Sequence, residues 1–284
     1  MIRITAAAAA IASFGLANVQ PAAAAPTPFF FSTGLPNDLM ATASRPGSGS
    51  FEIESADDFV LTQPITLTSA TFTGMITGGA SPSNVVVEIY RVFPLDSNTA
   101  RTPNVPTRMN SPSDNAFASR DSSVPGELNF TISSLGSVTA QNSVQPGGIH
   151  AGTGGTGSVT GDEVEIDVTF DDQLTLAPGH YFFVPQVDVS GGGSGEAFLW
   201  LSAPKPIVVP PGTAFPAGSN DLQSWTRDKA LDPDWLRVGT DIVGAGAFNA
   251  SFSLTGVVPE PGTFAVLGTG LLGLAFLRRS RSRQ

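Results

Sequence analysis

The chain has 284 residues, of which 31 are Gly and 23 Pro; only 13% are charged, while 41% are hydrophobic. The hydrophobic share excludes a wholly disordered chain, and the load of turn formers excludes a compact helical bundle, because Gly and Pro destabilise helix interiors. The formal net charge is -10, yet Arg3, Arg278, Arg279, Arg281 and Arg283 are five of the 14 bases, so the stretch between them sets nine bases against 24 acids. Such a body repels phosphate backbones, and no nucleic-acid partner is expected. Cys is absent, which removes disulfides and thiolate chemistry. A body of roughly 230 residues buries enough core without them.

At the start, Met1-Ile2-Arg3 supplies positive charge, Ile4 to Ala17 is apolar apart from Thr5 and Ser13, and Pro21 to Ala25 offers small residues. This three-part order is that of a secretory signal peptide. Cleavage is expected after Ala24, with Ala22 and Ala24 in the small-residue positions, so residues 1–24 form a signal helix outside the mature fold.

Residues 25–256 read as one all-β domain, an antiparallel β-sandwich or jelly roll of about nine strands. Ile65 to Thr73 and Val85 to Phe93 are rich in the β-branched and aromatic residues that suit a pleated surface. Val164, Ile166, Val168 and Phe170 alternate with Glu163, Glu165, Asp167 and Thr169, a period of two with one apolar and one solvated face. Tyr181 to Val184 and Phe198 to Leu201 are continuous apolar runs, as central strands require. Phe248, Ala250, Phe252 and Leu254 alternate with polar neighbours up to Thr255. Between these runs, Thr99 to Pro125 and Gln141 to Gly161 are polar and rich in Pro or Gly, and are expected as disordered loops. The proline-rich stretch Lys205 to Pro216 is expected as an extended crossing rather than an internal strand.

The body assembles no catalytic motif. His150 and His180 are the two histidines, both in Gly-containing turns and expected to be solvated. No Ser has Gly at both the second position before and after it, so the nucleophile elbow is missing. Gly152 to Gly157 satisfies a G-x-G-x-x-G string, but it leads into a strand rather than a helix N-terminus, where a dinucleotide motif works. Glu163, Glu165, Asp167, Asp171 and Asp172, with Asp57 and Asp58 elsewhere, lack the spacing of a Ca²⁺ loop and read as a solvated acidic face. No catalytic residue, metal ligand or cofactor is therefore assigned, and the protein is expected not to be an enzyme. Trp225 and Trp235, in polar surroundings and expected partly exposed, are the candidates for stacking against a sugar.

The other end has a pattern of its own. Val258-Pro259-Glu260-Pro261 is followed by an apolar stretch from Phe264 to Leu277 and then by Arg278, Arg279, Arg281 and Arg283. Fourteen residues of helix rise about 21 Å, short of a full hydrocarbon core, and the arginines extend the reach by snorkelling. The arginines stay cytoplasmic, which places the body outside. This combination resembles the PEP-CTERM sorting signal of Gram-negative, exopolysaccharide-producing bacteria. Segments such as Ser55 to Leu61, Ala70 to Gly74 and Pro233 to Arg237 are loosely similar to the sandwich-like bodies of other proteins carrying that signal. The resemblance implies that a membrane-embedded exosortase recognises Pro259, Glu260 and Pro261. It further implies a transient membrane helix over 264–277 within a 257–284 signal, a stop at the arginines, and release to the cell envelope or the outside. Three functions then remain open: a structural or adhesive surface protein, a module that binds extracellular polysaccharide, and a secreted hydrolase.

Overall fold

The computed structural model describes residues 25–259 apart from 48–50, 102–103, 106 and 194. The expected signal helix over 1–24 and membrane helix over 264–277 lie outside the described residues, as do Glu260, Pro261 and the terminal arginines. Among the described residues no helix is long and apolar enough to cross a membrane.

The body is all-β. Its strands are β1 (Thr27–Ser32), β2 (Met40–Ala43), β3 (Ile53–Leu61), β4 (Ile65–Ile76), β5 (Ser81–Arg91), β6 (Ala118–Asp121), β7 (Leu128–Ala140) and β8 (Asn142–Val144). They continue as β9 (Val159–Leu176), β10 (Gly179–Ser190), β11 (Phe198–Ala203), β12 (Trp225–Asp228), β13 (Leu236–Arg237), β14 (Asn249–Ala250) and β15 (Phe252–Val258). One sheet runs β1-β15-β4-β11-β2-β8, with β9 and then β7 along the other side of β4 and β14 beside β11; the second runs β13-β12-β3-β10-β5-β6. The β2–β8 pair is parallel and the others antiparallel.

The two sheets share one core because each strand sends alternate residues to the same side. Ile65, Leu67 and Phe72 of β4, Val164, Ile166 and Val168 of β9, and Phe252 and Leu254 of β15 meet Phe59 of β3, Val85, Val87 and Ile89 of β5, and Phe183 of β10. Phe183 stacks on Phe252 with centroids 5.0 Å apart, and Phe72 meets it from the same side at 6.1 Å. The alternation over Glu163 to Phe170 is realised: Val164, Ile166, Val168 and Phe170 are buried, and the acids between them reach solvent. Tyr181 to Val184 lies in β10, central between β3 and β5, and Phe198 to Leu201 lies in β11 between β4 and β2.

Partway along its length β4 changes partner, from Phe252 opposite Phe72 to Trp200 opposite Gly74. A Cβ on Gly74 would stand 2.3 Å from the Phe198 ring and 2.8 Å from the Leu199 carbonyl oxygen, so only glycine admits the crossing.

Two expected loops are instead packed. Within Thr99 to Pro125, Ser113 is fully buried, Arg108 and Asp114 form a buried ion pair, and Ala118–Asp121 adds β6 to the sheet edge. Within Gln141 to Gly161, β8 pairs with β2 and Ile149 is buried beneath the Gly-rich turn, which donates from Gly152 and Gly154 to the carbonyls of Asp241 and Ile242. Polar composition stands for ordered contacts here: the hydroxyls and amides that mimic a loop are bonded to neighbouring backbone. The Lys205 to Pro216 stretch, as expected, carries no strand.

Candidate functional site

The second sheet has an outer face, covered, among the described residues, by 93–101, 107–117, 219–224 and 229–235. Period two puts Glu54, Ala56 and Asp58 of β3, Glu88 and Tyr90 of β5, Phe182 and Val184 of β10, and Trp225 and Arg227 of β12 on this face. Arg227 faces Glu54 across the ladder and binds its carboxylate with Nε and Nη2, while Nη2 also donates to the Tyr90 hydroxyl at 3.0 Å. Tyr90 in turn donates to Glu54 and stands 3.2 Å from the Glu88 carboxylate. The guanidinium lies 4.4 Å from the Trp235 ring centroid. Burial pushes the Glu88 carboxyl up to about 8, with the charges of Glu54 and Glu52 adding to the effect. Burial opposes the Arg227 charge, but Glu54 outweighs it and the guanidinium is held above its usual range. A cavity of about 230 Å³ opens beside this cluster, lined by Glu52, Glu54, Arg227, Asp228, Lys229 and Asp232. Burial thus favours the protonated form of Glu88, beside a carboxylate that is fixed by arginine.

Trp225 and Trp235 were expected partly exposed; they are buried, at 2% and 1% exposure. Trp235 sits edge-on to Tyr90 under Arg227, and its Nε1 donates to the Ser113 carbonyl at 3.1 Å. Trp225 stands opposite the small Ala56, with Arg237 over its ring at 5.8 Å. The charged neighbours that suggested exposure in the sequence are the groups that cover these rings. Trp225 still contributes to the wall of a cleft of about 440 Å³, with Asn110, Lys205, Asn220, Asp221 and Arg237.

His180, expected in a solvated turn, instead is the second residue of β10 and holds Asp58 through Nε2 at 2.5 Å. Asp58 is 1% exposed and also accepts from the Leu222 amide at 3.2 Å. Asp57 points the opposite way, fully buried between the sheets, and accepts from the Ala250 amide at 2.7 Å. Burial raises both carboxyls, that of Asp57 far above the ordinary range. Asp57 and Asp58 therefore diverge, and among the described residues no group of three acids or histidines is placed to hold a metal ion. Glu54, Glu88 and Arg227 are not singled out by the sequence. Their one signal was an isolated Glu in the otherwise uncharged run from Phe59 to Tyr90, two residues before a Tyr.

At the far end of the first sheet, β15 carries the start of the C-terminal pattern. Its last residue, Val258, pairs with Thr27 of β1, and Val257 pairs with Pro28 and with Thr66 of β4. Pro259 follows directly, so the Val-Pro-Glu-Pro stretch begins inside the ladder with no linker between. Residues 257–280 match the family model of the PEP-CTERM protein-sorting motif. The chain carries a PEP-CTERM sorting motif. No curated protein and no solved structure matches it. The motif marks a PEP-CTERM protein as an exported exosortase substrate of the envelope or extracellular space.

Proposed function

We propose that this PEP-CTERM protein is a non-catalytic surface protein of a Gram-negative cell, with a structural or adhesive role. Val258, Pro259, Glu260 and Pro261 serve as the exosortase recognition site, 264–277 as a transient inner-membrane segment, and Arg278, Arg279, Arg281 and Arg283 as its stop. The observation that carries the reading is the sorting motif rooted directly on β15 of an all-β body. Mass spectrometry of the protein recovered from its native host tests the reading. The expected product lacks residues 1–24 and the arginine cluster, and Glu260→Ala accumulates precursor in the membrane. A mature protein that retains the cluster refutes it.

One observation favours a second reading, the binding of extracellular polysaccharide. The cleft walled by Trp225 also carries Asn110 and Asn220, whose amides bond to no protein group among the described residues. Amides that both donate and accept suit hydroxyl-rich ligands. Titration of tryptophan fluorescence with soluble glucans tests this reading, and no change up to millimolar ligand sets it aside.

A further inference from the structure

The rim of the sandwich where the sorting motif leaves is formed by the start of β1, the end of β15, the start of β4 and the end of β9. The turn 62–64 from β3, the turn 177–178 into β10 and the end of β5 at Arg91 complete it. Every residue of β1, β15 and β4 is uncharged, and so are both turns. The acids of the first sheet all lie in β9, between Asp162 and Asp172, ahead of the Leu174 to Leu176 stretch that reaches this rim. Thr62, Gln63 and Pro64 are exposed, and Phe30, on the outer side of β1, is 57% exposed. A chain so rich in acid nevertheless presents a rim without net charge, where Arg91 at the end of β5 is paired with Asp96.

The length of the connection says what lies against it. Five residues, Pro259 to Thr263, separate the paired Val258 from the apolar stretch beginning at Phe264. Fully extended they reach about 17 Å. The headgroup layer takes up several ångströms of that, which leaves the rim about one Debye length, 8–10 Å, from the lipid charges. At that distance anionic headgroups still repel carboxylates, whereas threonine, glutamine and proline pay nothing to approach them. An aromatic ring suits the interface. The start of the body lies at the same rim: if the leader ends at Ala24, only Ala25 and Pro26 precede Thr27, which pairs with Val258.

We infer that the neutral rim around Thr27, Gln63, Pro178 and Val258 is the face that the tethered precursor holds against the lipid headgroups. The inference rests on the sorting reading above, because it needs the tail in the bilayer. The orientation it fixes presents Pro259 at the membrane surface and turns the acidic rows of β9 and the outer cluster around Arg227 away from the lipid.

The chain has no cysteine, so single-cysteine labelling of the full-length precursor is clean. Gln63→Cys, Ser81→Cys and Thr263→Cys, each carrying a fluorophore, are reconstituted in liposomes of phosphatidylethanolamine and phosphatidylglycerol doped with a headgroup quencher. Ser81 lies past the opposite end of β4, about 35 Å from Gln63 at 3.3 Å per residue. The expected result is strong quenching at positions 63 and 263 and at least fivefold less at 81. Equal quenching at 63 and 81, or more at 81, with position 263 quenched, overturns the orientation while leaving the sorting reading intact. No quenching at 263 overturns the sorting reading and the orientation with it. In the native host, Gln63→Glu with Thr66→Glu is expected to raise the precursor-to-mature ratio at least threefold, and the same acids at Ser81 and Ser83 to leave it unchanged; equal effects at both ends also overturn the orientation.

Discussion

Arg227 and Glu54 face each other across β12 and β3, and the guanidinium Nη2 stands 2.9 Å from Glu54 Oε1 with both residues 5% exposed. Removing one partner strands the other charge in a largely buried place. Arg227→Met is expected to cost about 3–5 kcal/mol. Adding Glu54→Gln to that variant should recover at least half of the loss, because the abandoned charge is gone. Urea unfolding of the two singles and the double closes the cycle.

Glu88 makes the stability of the body depend on pH. Its carboxyl moves from 4.5 to about 8 on folding, so between those values the folded state binds the extra proton. Stability therefore falls as pH rises across that window, by up to about 1.4 kcal/mol per pH unit. Asp57, also raised, acts with the same sign. Glu88→Gln should flatten the decline between pH 5 and pH 7, read from urea midpoints at each pH.

Phe31 anchors β1 to the rest of the body: it is 4% exposed and packs against Phe59, Phe215 and Phe252 at 5.6–6.3 Å. Phe31→Ala is expected to cost about 3–5 kcal/mol. Limited proteolysis should then cut near Phe30 and Val257 before the rest of the sheet.

Gly74→Ala places a methyl group against the Phe198 ring and the Leu199 carbonyl, neither of which has room to retreat. The expected loss is about 2–3 kcal/mol. Gly79→Ala meets nothing nearby, and its milder loss should reflect only the positive φ of 68°. Thermal unfolding distinguishes the two.

The all-β class, the alternating face of β9 and the central runs of β10 and β11 were legible because periodicity and burial are local properties of a strand. The outer cluster was not. Glu54, Glu88, Tyr90 and Arg227 come from three strands, and nothing in their spacing shows that one sheet sets them side by side. The same blindness made Trp225 and Trp235 look exposed: Arg227 and Arg237, read as solvent-facing neighbours, are the cations that roof them. The segments around Arg108 and Ile149 looked loose because polar residues signal loops only when their partners are water, and here the partners are other parts of the chain.

β15 lies between β1 and β4 with its end pointing into the tail. A load transmitted through that tail draws the strand along its own axis, so the ladders on both flanks must slip together before it yields. A sideways peel would open them one bond at a time. Any pull on the body through this strand is thus met in the stiffer direction.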